Sequence, residues 1–225
     1  MTANMPRRLA AEFVGTLLLL ATVVGSGIMG ERLASGNVAI ALLANSIATG
    51  AALIAILLAL GEVSGAHLNP AVTLVELTRG SMSWREALGY LAAQLAGAFA
   101  GVVVAHGMFG LAVYSVSTHV RSGPAQVFSE FVATFGLVAV ILGCARSRPA
   151  AVPYAVGAYI TSAYWFTAST SFANPAVTLA RALTNTFAGI RPVDVFPFVA
   201  AQLAGAFAAT LFLRWLMPEP AAQTH

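Results

Sequence analysis

Apolar residues in this chain gather in long, nearly unbroken runs at 9–30, 38–61, 86–107, 125–145, 151–168 and 195–216. About 20 apolar residues in helical form cross the ~30 Å hydrocarbon core of a bilayer. Runs this long exceed the length of ordinary strands. The pattern predicts six transmembrane helices. The first run follows Arg7 and Arg8, but no polar cleavage region comes after it, so it reads as a retained span and not as a signal peptide.

The pattern repeats. AAQLAGAFA at 92–100 recurs unchanged at 200–208, Glu12-Phe13-Val14 returns as Glu130-Phe131-Val132, and NPAVTL at 69–74 returns at 174–179. The chain therefore reads as one domain over 1–225, made of two repeats at about 8–107 and 125–217 that are joined by the polar connector 107–124. Each repeat holds three spans, an odd number, so the second must enter the membrane from the opposite face. Such inverted repeats place their functional site between the halves, near the midplane. Gly97 and Gly101, echoed by Gly205 and Ala209, have the small-xxx-small spacing that lets helices approach closely. Gln94 and Gln202 stand at matching places, either hydrogen-bonding within the bundle or facing a pore.

Two shorter runs behave differently. Each starts with Asn-Pro-Ala, at Asn69-Pro70-Ala71 and Asn174-Pro175-Ala176, and ends near Arg79 or Arg181. Asn is a preferred N-cap, and Pro suits the first helical position because its missing N–H would have had no intrahelical partner. A helix of roughly nine residues is ~13–14 Å long, half a bilayer. Two such re-entrant half-helices, entering from opposite faces, can meet at their N-termini and complete a seventh, broken span around a watery cavity. The fold class expected is an all-α membrane protein of six transmembrane helices plus two half-helices.

Composition agrees, with 59% hydrophobic and 8% charged residues and a mean hydropathy of +0.83. All eleven basic residues are Arg, and six spans divide them seven to four: Arg7, Arg8, Arg79, Arg85, Arg146, Arg148 and Arg214 against Arg32, Arg121, Arg181 and Arg191. The richer side is cytoplasmic, which puts both termini there. The net charge of +3 thus reflects topology, and no basic cluster suggests nucleic acid. The single cysteine, Cys144, excludes an intrachain disulfide and reads as a packing residue. Neither a cofactor nor a metal is expected.

The sequence resembles the aquaporin superfamily over nearly its whole length. The likeness rests on Ser64-Gly65-Ala66-His67-Leu68-Asn69-Pro70-Ala71-Val72, on the second Asn174-Pro175-Ala176, and on the glutamates of the first and fourth spans. It implies a homotetramer in the bilayer with one pore per subunit. If Asn69 and Asn174 cap their helices through their side-chain oxygens, their NH₂ groups remain as donors to a passing water or alcohol. Two positive helix ends at the midplane disfavour cations and protons. The resemblance assigns a ladder of carbonyl acceptors to Gly65, Ala66 and His67 and to Thr170, Ser171 and Phe172. Intramembrane carboxylates are functional candidates by default. Glu12 and Glu130 are either supports for the pore-loop N–H groups, as the resemblance favours, or a proton-coupling pair of a secondary transporter. His67 is a loop histidine or a protonation gate.

Family spacings select a constriction of Thr49, twenty residues before Asn69; Ser162, twelve before Asn174; Ser171, three before it; and Val177, three after it. The customary Arg is absent at Val177, and so are the usual second-span aromatic and fifth-span His or Gly. On this register the filter has three hydroxyls and one small apolar group, and is wide and uncharged. A small register change would bring in an aromatic from Tyr164, Trp165 or Phe166. Arg181, one helical turn beyond Val177, either draws acidic solutes to the outer vestibule or complements its helix dipole. The stretch NPAVTLARALTNTFAGI at 174–190 resembles bacterial aquaglyceroporin-like channels, including those associated with arsenic resistance. A passive channel in the bacterial inner membrane is expected, carrying water, glycerol-like polyols, metalloid hydroxides and methylated arsenicals. A proton-coupled transporter and a non-conducting scaffold are the alternatives.

Overall fold

The computed structural model describes residues 3–217; the ends of the expected 1–225 unit lie outside the described residues. Long helices are α1 (Met5–Leu33), α2 (Val38–Ser64), α4 (Trp84–Phe109), α5 (Pro124–Ser147) and α8 (Pro192–Leu216), each long and apolar enough to cross a membrane. Between them lie α3 (Pro70–Thr78), a 3₁₀ turn (Pro149–Ala151), α6 (Val152–Phe166) and α7 (Pro175–Arg181). Local sequence sets the boundaries. Asn37 caps α2 by accepting from the N–H groups of Ala39 and Ile40, and Gly65 ends it in the left-handed region at φ 85°. Ser83 and Glu86 form a reciprocal capping box that starts α4.

Two expectations change. The fifth span, expected over 151–168, is helical only over the 15 residues of α6, about 22 Å at 1.5 Å per residue. It ends because Thr167 turns extended and its hydroxyl donates to the Ala163 carbonyl at 2.7 Å, releasing 167–174 as a loop. The second half-helix has seven residues, two fewer than α3. Tight i→i−3 bonds from Ala182 and Leu183 close its last turn, and the Ile190 N–H takes the Arg181 carbonyl.

The halves correspond element by element: α1 packs most extensively against α4 as α5 does against α8, and α2 meets α6 between the halves. Small residues permit these approaches. A Cβ at Gly97 would overlap the Phe13 carbonyl oxygen, and one at Gly205 would overlap the Phe131 carbonyl oxygen, the same contact in each repeat. Gly50 and Gly157 do likewise across the α2–α6 seam, each lying against the other's backbone carbonyl. In the connector, Ser115 and Ser117 donate from their backbone N–H groups to the carbonyls of Leu183 and Ala182, docking the loop on the end of α7.

Gly205→Ala should therefore lower the melting temperature of the detergent-solubilised protein, with a cost of about 1–3 kcal/mol for the overpacked contact. Gly61→Ala, in the last turn of α2 with open space around its Cβ, should leave the melting temperature unchanged or raise it.

Candidate functional site: a cavity around two opposed half-helices

Both half-helices begin as local chemistry dictates. Asn69 Oδ1 accepts from Ala71 N–H at 2.9 Å, and Asn174 Oδ1 accepts from Ala176 and Val177 N–H at 3.0 and 3.3 Å. The amide nitrogens then reach across: Asn69 Nδ2 donates to the Ala173 carbonyl and Asn174 Nδ2 to the Leu68 carbonyl, each at 2.8 Å. The donors expected of the two amides are thus reduced but not removed. Each NH₂ has two hydrogens, and one is spent on the opposing loop, so one per Asn is left. From this junction α3 runs away toward Glu76 and α7 toward Arg181.

The loops leading into the half-helices are non-helical and buried. Ala66, Leu68, Thr170, Ser171 and Ala173 all have positive φ, between 45° and 62°. Non-glycine residues adopt this conformation at a cost and hold it only where surroundings impose it. Among the imposing groups are the two intramembrane carboxylates. Glu12 accepts from the N–H groups of His67 at 2.9 Å and Leu68 at 2.8 Å, from Ser64 Oγ at 2.7 Å and from Gln94 Nε2 at 2.8 Å. Glu130 accepts from the N–H groups of Phe172 and Ala173, both at 2.9 Å, and from Gln202 Nε2 at 2.6 Å. Gln94 and Gln202 also donate to Thr73 and Thr178, at 2.9 and 2.8 Å. Neither glutamate nor either glutamine lines the cavity, and all four are fully buried. A carboxylate with this many donors has no place in a proton relay through the pore.

A cavity of about 230 Å³ runs past the junction. Its walls are largely apolar, with α1 contributing Leu19 and Val23, α2 Leu53 and Leu57, α5 Leu137 and Ile141, and α6 Val156 and Ile160. Polar groups converge on it from the loops: Gly65, Ala66, His67, Ser171 and Phe172 line it, as do Asn69, Asn174, Thr49, Val177, Glu76 and Arg181. Thr170 is not among the lining residues, and its hydroxyl accepts from the Arg121 guanidinium at 3.3 Å. His67 Nδ1 lies 3.1 Å from Thr73 Oγ1, which ties the ring into the loop.

Ser162 is not in the site. It is exposed on the outside of α6, where its hydroxyl donates to its own helix at the Tyr159 carbonyl. Tyr164 lines the cavity instead, 3% exposed, with its hydroxyl 3.2 Å from that of Thr49. Two residues along a helix are about 200° around it, so the two face opposite ways. The cavity at this point is therefore lined by a phenol where a small hydroxyl was expected. Ser171 Oγ is buried and bonded to no protein partner among the described residues.

Arg181 lies 2% exposed at the α7 end, with its Cζ 3.4 Å above the Phe172 ring centroid and its Nε donating to the Ala188 carbonyl. Arg121 brings a second guanidinium to the same ring at 5.0 Å, held by the carbonyls of Gly189, Ser169 and Phe187. Burial lowers its pKa to about 10, which leaves it charged at neutral pH. Burial first, and then the charges of Arg121 and Arg181, push His119 below the ordinary imidazole value, so it adds no third charge. Arg121 entered the sequence reading only in the charge count. Its sole signal there was an Arg in an otherwise uncharged connector, with nothing to link it to Phe172.

Helices enclosing a cavity that is crossed midway by two opposed helix starts define a pore-forming, multi-pass membrane protein. The model of the major intrinsic protein family matches residues 1–153 and 147–225, and the chain belongs to that family, whose aquaglyceroporins are channels and not enzymes. It is 56% identical over 214 residues to the aquaglyceroporin AqpS of Rhizobium meliloti (strain 1021), covering 95% of this chain and 91% of that one. To the probable aquaporin AqpM of Archaeoglobus fulgidus it is 30% identical, over 97% and 100% of the two chains. The X-ray structure of the aquaglyceroporin from Plasmodium falciparum superposes with a TM-score of 0.74 at 20% identity, covering 93% of this chain and 96% of that one, and shares its fold.

Replacing Glu130 by Gln would turn an amide donor toward one of the two loop N–H groups, leaving it buried and unpaired at a cost of about 1–3 kcal/mol. The variant should give a lower yield of monodisperse protein in size-exclusion chromatography, while flux per folded molecule falls less than yield.

Proposed function

We propose that this protein is a passive channel for water and small, mainly uncharged solutes: glycerol-like polyols, metalloid hydroxides and methylated oxyacids such as methylated arsenicals. The observation that carries the reading is the apolar-walled cavity with a track of neutral polar groups between Glu76 at one end and Arg181 at the other. That track comprises one free N–H on each of Asn69 and Asn174, the loop backbone at 65–67 and 171–172, and the hydroxyls of Thr49, Tyr164 and Ser171. A neutral hydroxylated solute exchanges water for these groups along the track, while its carbon skeleton or methyl group meets Val177, Ile160 and Leu53. A cation gains far less than it loses on leaving water. The N-termini of α3 and α7 direct positive dipole ends at the midplane, which opposes cations and protons.

The substrate range rests on Val177. An Arg there would be larger and permanently charged, and would fill the cavity with a planar fork of donors. The names and identity of the relatives support the aquaglyceroporin side of the family. The same resemblance supports a homotetramer with one pore per subunit, and the seven-to-four division of arginines supports cytoplasmic termini in a bacterial plasma membrane.

The test is stopped-flow swelling of proteoliposomes with water, glycerol and a methylated oxyacid, normalised to folded protein. Val177→Arg should cut methylated-oxyacid flux by roughly tenfold or more, about 1.4 kcal/mol of added barrier, while water permeation survives. Flux that collapses with an uncoupler would instead mean proton coupling and would overturn the channel reading. Tyr164→Ala should widen the pore and raise flux of the bulkier solutes, whereas Ser162→Ala, outside the cavity, should change neither rate nor selectivity.

A further inference from the structure

Arg181 is a buried cation with no ion-pair partner among the described residues, Glu130 acting on it only from a distance. Ion pairs among the described residues join Arg8 to Glu86 and Arg191 to Asp194. The carboxylate of Glu130 is committed to two loop N–H groups and Gln202, and that of Asp194 to Arg191 and the Arg121 N–H. Removing a guanidinium from water without an ionic partner is costly, and the cost persists only where something else compensates it. The Phe172 face and the Ala188 carbonyl do part of this, taking one face of the guanidinium and its Nε. Nη1 and Nη2 donate to no acceptor among the described residues, and Arg181 lines the cavity.

A second group beside it is equally unsatisfied. Ser171, the chain neighbour of Phe172, is 3% exposed, lines the same cavity and carries a hydroxyl with no partner. Arg121 adds positive potential from behind Phe172, but its donors are held by backbone carbonyls and by Thr170. It therefore contributes field and not bonding.

We propose that the α7 end of the pore contains an oxyanion subsite, in which the Nη groups of Arg181 and the hydroxyl of Ser171 bind a small, singly charged oxyanion, the conjugate base of a weak oxyacid. The guanidinium edge offers parallel N–H donors that match two oxygens of such an anion. Single charge follows from the surroundings: beyond these donors only the paired hydroxyls of Thr49 and Tyr164 are polar at this end, and Val177 and Ile160 are apolar, too little to solvate a second charge. Glu76 lines the opposite end of the cavity and disfavours an anion there, so binding is confined to the Arg181 end. An anion held in the path of neutral solutes slows them. This deepens the channel reading, on which the flux consequence rests, by giving the pore an acidic-solute sensor at one mouth.

Nitrate is the probe, because it is planar, singly charged and does not protonate near neutral pH. Glycerol swelling rates would be compared in sodium nitrate and sodium chloride at equal ionic strength, each variant referred to its own chloride rate. In the wild type nitrate should lower the rate saturably, by about twofold or more, and in Ser171→Ala it should act with roughly fivefold weaker apparent affinity, as befits loss of one hydrogen bond to an anion. Arg181→Gln should abolish the nitrate effect and Arg181→Lys should retain part of it. Independently of flux, the melting temperature in detergent should be higher in nitrate than in chloride for the wild type, with the difference gone in Arg181→Gln and reduced in Ser171→Ala. A wild type that does not distinguish nitrate from chloride in the melting measurement overturns the subsite. So does a nitrate effect undiminished in Arg181→Gln, or, should that variant not fold, undiminished in Ser171→Ala. Absence of glycerol flux in the wild type would sink the channel reading alone, since the melting difference still decides the subsite.

Discussion

Two stretches of non-helical backbone lie deep inside a bundle of apolar helices, and their N–H groups have neither a helix ladder nor bulk water to satisfy them. Each unpaired group at that depth would cost as much as a lost hydrogen bond or more. Glu12 and Glu130 meet this need, each taking the N–H groups of two consecutive residues in the loop of its own repeat. Everything at the centre of the pore depends on that. The carboxylates hold the left-handed residues at 68 and 173 by their own N–H groups, while those at 66, 170 and 171 are held by Ser64, Thr167 and Ser169. With the loops fixed, Asn69 and Asn174 are delivered to the carbonyls of Ala173 and Leu68, each the residue before the opposite Asn, and the two half-helices are joined tip to tip.

Duplication allows one chemical solution to be used twice. In both repeats the carboxylate is braced by a glutamine from the third long helix, and that glutamine by the Thr of the NPAVTL motif. The same glycine in each repeat brings that third helix against the backbone of the first. The repeats diverge where the surroundings differ. At the α3 end, His67 and Glu76 line the cavity, and at the α7 end Arg181 does, stacked on Phe172 with Arg121 beyond. A pore that is symmetric in its backbone is thus polar in its charge, negative at one mouth and positive at the other.

The α7 end also explains how a pore without an Arg at Val177 still carries a guanidinium. Position 181 is one turn further along the same helix face. The shortened α7 and the loop that folds back through Ala188 bury that Arg beside the cavity instead of releasing it to solvent. Its charge thus acts from the end of the cavity, beyond the stretch lined by Tyr164, Thr49, Ser171 and Val177.

The sequence by itself determined the long spans, the duplication, the inverted topology and the two half-helix starts, because each is local: hydrophobic length, repeated words, and the pairing of an N-cap Asn with Pro. Membership of the aquaporin superfamily was legible in the same residues. Tertiary structure alone decided which side chains face the pore. Ser162 and Tyr164 are two residues apart, and only the packing of α6 against α2 turns Tyr164 inward to Thr49. The second bond of each Asn, from amide nitrogen to the opposing loop, joins residues more than a hundred positions apart. The meeting of Arg121, Arg181 and Phe172 likewise needs the connector docked on the end of α7. Periodicity and capping are read along the chain within a few turns, whereas a pore is a surface shared by distant segments, and its lining is fixed only when those segments pack.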